Sequence, residues 1–341
     1  MLNSRAAKVI SCLLLTALTA PQARAESVAD FYRGKTLRMI VGYGPGGGYD
    51  LYARLVAQFL PKQIPGNPQT VIVQNMPGGG SFVAAKYLYD AAPKDGTYFG
   101  SLAQTLALDS VTDPASKLDI TRMPYIGRAV SNIDLGVASD KSGIRSFEDV
   151  RQREFTVGAS GGGSTTVLFP AALNAYAGAR FKIVKGYSGT TDIQLAMERG
   201  EVDIIGAYGL PAILISQPAW IKQSGAKLIY QAALKRHKLL ADVPTLPELA
   251  LSPEGRDILF AAASTAEFGR SIITTPGVPP ERLKALRDAF QAMLNDPEFQ
   301  QAAASRNLMI DGASGEDMDT IALKTKELSP ATQARVAEMM K

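Results

Sequence analysis

An α/β fold of two units, each with a mainly parallel sheet flanked by helices, is what this 341-residue chain predicts. Three observations carry that prediction. Short apolar runs alternate with segments of helical period, a glycine-rich turn follows three of those runs, and the alternation restarts near residue 146.

Residues 37–43 (LRMIVGY) form the first strand candidate, and residues 49–63 then place Leu51, Tyr52, Leu55, Val56, Phe59 and Leu60 on one helical face. The strand signal returns at 71–74. The turn Gly78-Gly79-Gly80, a helix through Phe82, Val83, Tyr87 and Leu88, and a third strand at 97–103 follow. This βαβαβ order implies a parallel sheet. In the second unit Ser146 and Asp149 have the spacing of a capping box, 155–159 is a strand, and residues 161–163 form another triple-glycine turn. A helix starts at Ser164, with a kink expected at Pro170. Strand 181–185, helix 190–199 stopped by Gly200, and strands 202–207 and 227–232 complete this unit. Beyond it, 280–294 is amphipathic through Leu283, Leu286, Phe290 and Met293; Asp296-Pro297 opens a further helix, and Ser314 with Asp317 caps another. Helices with almost no strands between them cannot make a core alone. They are expected to pack back on a sheet, so that the first domain draws on both ends of the chain.

The N-terminus sets the compartment. Arg5 and Lys8 precede an apolar stretch at 9–20, and Ala23-Arg24-Ala25 has the small-x-small pattern of a signal peptidase site, so residues 1–25 read as a cleaved signal peptide. Cys12, the one cysteine, falls inside it, and the mature chain then offers no disulfide, thiol nucleophile or thiolate metal ligand. A cysteine-free exported chain suits the bacterial periplasm. Removing Arg5, Lys8 and Arg24 leaves 33 basic against 32 acidic residues, so the basic balance belongs largely to the signal. No basic block with interleaved aromatics points to nucleic acid.

Chemical groups are few. The single histidine, His237, sits in the polar run Lys235-Arg236-His237-Lys238 and reads as a solvated loop residue. No metal motif, no G-x-S-x-G elbow and no P-loop lysine is present, and no cofactor is implied. Gly42-x-Gly44-x-x-Gly47 formally matches a dinucleotide fingerprint. However, Pro45 interrupts the turn, and Gln74-Asn75 ends the second strand where a ribose-binding acid belongs. What remains is a glycine turn at a helix start. Such a turn exposes backbone N–H groups and the positive end of the helix dipole, which suits a small anion.

The stretch Val41-Gly42-Tyr43-Gly44-Pro45-Gly46-Gly47-Gly48-Tyr49-Asp50 resembles the first-loop signature of Bug-type receptors, the periplasmic solute-binding proteins of tripartite tricarboxylate transporters. Further matches follow in the family's order. They are Gln74-Asn75-Met76-Pro77-Gly78-Gly79-Gly80, Ala92-Pro93-Lys94-Asp95-Gly96-Thr97-Tyr98, Gly158-Ala159-Ser160-Gly161-Gly162-Gly163-Ser164, Gly200-Glu201-Val202-Asp203 and Leu240-Ala241-Asp242-Val243-Pro244-Thr245. The resemblance implies a two-lobed type II periplasmic binding protein clamshell, with lobe 1 at 26–127 plus 233–341 and lobe 2 at 128–232. It implies a small carboxylate held by backbone amides, hydroxyls and waters more than by basic side chains. By position, Tyr43, Gly44, Pro45, Gly46, Gly47, Gly48, Tyr49 and Asp50 form the first-lobe loop, and Ser160, Gly161, Gly162, Gly163, Ser164 and Thr165 its counterpart. Gly79, Gly80, Ala103, Gln104, Thr105, Tyr187, Ser188, Gly189, Thr190, Ala207 and Tyr208 complete the walls.

Many family members carry an aspartate at the position of Ala207, so an amino-acid ligand is disfavoured here. Tyr49 and Tyr208 could stack on a ligand or simply pack at a lobe edge. The implied partners are the membrane permease subunits of a tripartite transporter, with a monomeric receptor expected. A sensor kinase is an alternative partner that nothing in the sequence separates from a permease. A periplasmic enzyme is a third reading and would need an acid or base such as Asp50, whose spacing is that of a first-turn helix acid.

Overall fold

The computed structural model describes residues 26–113, 117–161, 164–187 and 189–339. The expected signal peptide at 1–25 lies outside them. From the N-terminal side the chain runs α1 (Val28–Tyr32), β1 (Thr36–Val41), α2 (Gly48–Gln63), β2 (Thr70–Asn75), α3 (Phe82–Lys86), β3 (Tyr98–Ser101), α4 (Leu106–Thr112) and β4 (Tyr125–Arg128). Next come β5 (Asp134–Ser139), α5 (Phe147–Gln152), β6 (Phe155–Gly158), α6 (Thr165–Tyr176), β7 (Phe181–Val184), α7 (Thr190–Arg199), β8 (Ile204–Gly209), α8 (Leu210–Ser216) and β9 (Ala226–Ala232). The remainder is α9 (Pro253–Ser264), β10 (Ser271–Thr274), α10 (Pro280–Leu294), α11 (Pro297–Ser305), β11 (Ala313–Ser314), α12 (Gly315–Lys326) and α13 (Pro330–Met339).

Two sheets result. The first has the order β11-β4-β10-β3-β1-β2, the second β7-β6-β8-β5-β9. The βαβ units give parallel pairing of β1 with β2 and β3, and of β6 with β7 and β8, as the alternation predicts. The rest of each sheet is antiparallel: β10 against β3 and β4, and β5 against β8 and β9. Both sheets are therefore mixed, because β4, β5 and β10 adjoin passages between sheets instead of helical crossovers. The sequence reading assigned no strand to these three, and two glycines explain part of that. Gly127 and Gly136 break the apolar runs, yet each lies under an aromatic ring: a Cβ would stand 2.4 Å from Phe290 at one and 2.3 Å from Tyr230 at the other.

Helices cover both faces of each sheet. Leu55, Val56, Phe59 and Leu60 of α2 pack with Phe290, Met293 and Phe299 on one side of the first sheet, and Leu88, Leu106 and Met318 fill the other. Leu51, placed on the α2 core face by its spacing, is 39% exposed, since Tyr52 and Ala53 take the inward positions beside Leu55 and Val56. On the second sheet α6 buries Leu168, Phe169 and Leu173 against Ile258 and Leu259 of α9 and Val336 of α13. Each fully buried side chain of this size contributes about 1.5–3 kcal/mol. Helix α6 runs on through Pro170, and Gly206 leaves room for the proline ring and for the Thr166 carbonyl that the proline cannot bond.

The two sheets are joined by two antiparallel passages, 129–133 and 265–270. Ala129 donates to the Arg270 carbonyl at 3.1 Å, Arg270 to the Val130 carbonyl at 2.8 Å, and Asn132 to the Ala266 carbonyl at 2.9 Å. Gly269 makes this pairing possible. Its φ is +40° and a Cβ there would stand 2.0 Å from the Val130 oxygen, so only glycine fits.

Candidate functional site

The carboxyl ends of β1 and β3 meet at one buried hydroxyl. Ser81, in the turn after Gly79 and Gly80, accepts from the Ala103 N–H at 3.1 Å, and a Cβ on Gly42 would stand 1.8 Å from its oxygen. Open α/β sheets bind ligands at this edge. Residues 43–48 then lead into α2, whose N-cap Gly47 has no side-chain cap, leaving the first-turn amides of Gly48 and Tyr49 without a partner among the described residues.

Asp50 holds that loop from behind. One oxygen accepts from the Gly46 N–H at 2.9 Å and from Arg54 Nε at 2.8 Å, and the other from Asn75 Nδ2 at 2.9 Å. Asn75 also donates to the Tyr43 carbonyl at 2.9 Å. Burial alone would raise the Asp50 pKa, but the bonds from Arg54, Gly46 and Asn75 hold it below the usual carboxylate value. Both oxygens are engaged within the loop's own brace.

The second turn is built without charge. Thr166 Oγ1 accepts from the Ser160 N–H at 2.9 Å and bonds the Ser164 hydroxyl at 2.7 Å and the Ser160 hydroxyl at 3.0 Å. Helix α6 starts at Thr165 with no side-chain cap on its first-turn amides. Gly186 and Tyr187 donate to the carbonyls of Ser160 and Ala159, at 3.2 and 3.3 Å, which ties the start of the Gly189–Thr190 turn to the same place. Gly162, Gly163 and Ser188, read as ligand contacts from the sequence, lie outside the described residues.

The two turns meet through side chains at the crossing passages. Tyr49 stacks on Tyr43, with centroids 4.4 Å apart and planes 18° from parallel, and its hydroxyl accepts from the Gln104 N–H at 2.9 Å. Gln104 Nε2 donates to Asp134 Oδ2 at 3.2 Å, and the Thr165 side chain lies near enough to the Asp134 carboxylate to favour its charged form. Asn132 Nδ2 donates to Asp134 Oδ1 at 3.0 Å. The Arg270 guanidinium lies 4.0 Å from the Tyr49 ring centroid and donates to Gln104 Oε1 at 3.3 Å and Asn132 Oδ1 at 3.0 Å. Burial pushes the Asp134 carboxyl up to about 6, a rise that Arg270 and the bonds from Asn132, Thr165 and Gln104 offset only in part. Burial likewise raises the hydroxyls of Tyr43 and Tyr49. Thr105 bonds Asp109, whose other oxygen is buried without a partner and whose carboxyl burial pushes up to about 7.

The arrangement brings backbone amides, aromatic rings and one guanidinium together. The sequence pattern of the family described as "Tripartite tricarboxylate transporter family receptor" matches residues 52–330. The chain belongs to that receptor family. A UPF0065 protein of Bordetella bronchiseptica is 28% identical over 324 residues, covering 91% of this chain and 86% of that one. Among solved structures, a TctC solute-binding protein from Polaromonas superposes with a TM-score of 0.63 at 21% identity, covering 90% of this chain and 98% of its own. MatC from Rhodopseudomonas palustris, solved with bound malate, gives 0.64 at 17% identity, with 90% and 99% covered. The receptor is a solute-binding protein and not an enzyme, and family members are periplasmic.

Of the residues the sequence singled out in this receptor, the structure brings together Tyr43, Gly48, Tyr49, Gln104 and Thr165. Ala207 and Tyr208 are placed elsewhere. Ala207 is 2% exposed in one core, and Tyr208 points into the other, edge-on to Trp220 with its hydroxyl on Gln194 and Ser216 at 3.0 Å. His237 accepts from the Leu239 N–H at 3.2 Å through Nδ1 and caps a short turn. Asn132, Asp134 and Arg270 were missed. No motif marks them, although an arginine directly before the apolar run Ser271–Thr274 is a signal that a charge is being buried.

Proposed function

We propose that this receptor captures a small organic carboxylate between two lobes and delivers it from the periplasm to permease subunits of a tripartite transporter. One observation supports the reading most. Hydrogen bonds run from Tyr49 at the uncapped start of α2 through Gln104 to Asp134, and Thr165 at the uncapped start of α6 lies beside that carboxylate. Two helix N-termini facing one space hold an anion without reading a side-chain code, and release it when the lobes part. The malate bound to MatC is an acid of the same class.

The lobes divide at the crossing passages. On this division lobe 2 takes β5 to β9 together with α9 and α13, because Ile258, Leu259 and Val336 lie in its core, and the return to lobe 1 falls near residue 265 instead of 233. Residues 1–25 serve as the export signal. Asp50 and Tyr208 then act as packing and bracing groups, and the ligand meets residues 44–48, Tyr49, Gln104 and the start of α6.

A thermal-shift screen of residues 26–341 against mono-, di- and tricarboxylates, aromatic acids, amino acids and nucleotides tests this. An acid at 100 times its dissociation constant stabilises the fold by about 2.7 kcal/mol. Stabilisation by nucleotides and by no acid would overturn the reading.

A further inference from the structure

We infer that Arg270 supplies the positive charge for a bound carboxylate, so that the anion site at the start of α2 is an ion-paired one and not a clamp of backbone amides alone. This rests on the carboxylate-receptor reading above. Arg270 is 9% exposed, and its two terminal nitrogens bond only neutral amide oxygens, those of Gln104 and Asn132. Its Nε is buried with no hydrogen-bond partner among the described residues. Among the described residues Arg270 forms no ion pair within 4 Å. Asp134, the carboxylate joined to it through those amides, is held one residue away, because Gln104 and Asn132 stand between them and donate to its oxygens at 3.2 and 3.0 Å. A buried guanidinium with an open donor and no touching counter-ion is unfavourable by itself, and an anion relieves it.

Its place in the fold says where that anion binds. A Cβ on Gly48, the first residue of α2, would stand 3.3 Å from Arg270 Nε and 3.2 Å from Nη2. Gly48 is thus glycine for clearance, since any larger residue pushes on the guanidinium. The unpartnered Nε lies against Gly48, whose amide, with that of Tyr49, stands unpartnered among the described residues at the positive end of a 16-residue helix. A carboxylate there bonds the amides with one oxygen and Nε with the other, a charge-assisted pairing stronger than amide contacts alone. Gln104 Oε1, at 3.3 Å the longer of the two bonds from Arg270, is the acceptor such an oxygen displaces.

The test is calorimetric titration of residues 26–341 with succinate, malate, citrate and benzoate, each beside its neutral amide, for the wild type, Arg270→Lys and Arg270→Gln. The wild type prefers an acid over its amide. Arg270→Gln weakens that acid by about 100-fold or more and the amide by less than about threefold, and Arg270→Lys falls between. Unchanged acid affinity in Arg270→Gln overturns the inference and leaves the receptor reading standing. No acid binding by the wild type overturns both. If Arg270→Gln does not fold, the crystal structure of the wild type with its tightest acid decides. A ligand oxygen within hydrogen-bond reach of Nε supports the pairing, and ligand oxygens met by backbone amides alone overturn it.

Discussion

The two glycine turns present the same surface, a helix start with open amides, yet they are braced in opposite ways. Residues 43–48 are held by a carboxylate: Asp50 ties Gly46, Arg54 and Asn75 together. Residues 160–165 are held by three neutral hydroxyls, those of Ser160, Ser164 and Thr166. The difference teaches that the backbone display alone is common to the two turns, whereas its support follows the neighbours available. The first turn sits beside a strand end with Asn75 and one helical turn from Arg54, where charge can be satisfied. The second opens a helix whose first turn carries no acidic residue, so hydroxyls must serve.

The largest effect expected from breaking this contrast is at Asp50. Asp50→Ala removes a charged acceptor from three donors and should cost about 2–3 kcal/mol by chemical denaturation, with acid affinity falling about tenfold. Acidity comes next. Asp109 and Asp134, raised to about 7 and about 6 by burial, hold protons more tightly folded than unfolded. The folded chain therefore binds more protons across roughly pH 4 to 7, and stability should rise, on the order of 2 kcal/mol, as pH is lowered through that window. Asp50 acts in the opposite sense, because its stabilisation is lost only as pH falls through its depressed value. Melting curves between pH 8 and 3 check both signs, and Asp134→Asn should flatten the profile below about pH 6 and leave the part near pH 7 to Asp109.

Thr166→Val tests the neutral brace and should cost about 1 kcal/mol, with no change in pH dependence. If it cost as much as Asp50→Ala, the contrast between the turns would be wrong. The smallest effect is at Arg54, whose side chain is 49% exposed; Arg54→Ala should change stability by about 0.5 kcal/mol and leave Asn75 and Gly46 holding Asp50.

How legible each part was follows from the same physics. Glycine turns are readable because a site made of backbone needs the absence of side chains, and Gly44, Gly46, Gly47 and Gly161 have nothing within 4 Å of a would-be Cβ. The first-turn acid at Asp50 and the capping box of Ser146 with Asp149 were readable for local reasons, as Gly46 and Arg54 lie four residues from Asp50 and Asp149 three from Ser146, whereas Asn75 reaches Asp50 from 25 residues away. The floor of the site was not. Of its residues only Gln104 was named; Asn132, Asp134 and Arg270 join it across sequence separations of up to 166 residues. Three of them sit on or beside β5 and β10, strands that carry no turn signature of their own. Tyr49 was left open between packing at a lobe edge and stacking on a ligand; its ring packs between Tyr43 and Arg270.

The most direct test of a carboxylate held between two helix starts is a crystal structure of residues 26–341 with the acid that binds most tightly. The account predicts ligand oxygens within hydrogen-bond distance of first-turn amides of both α2 and α6. A ligand that touches one helix start only, or neither, would contradict it.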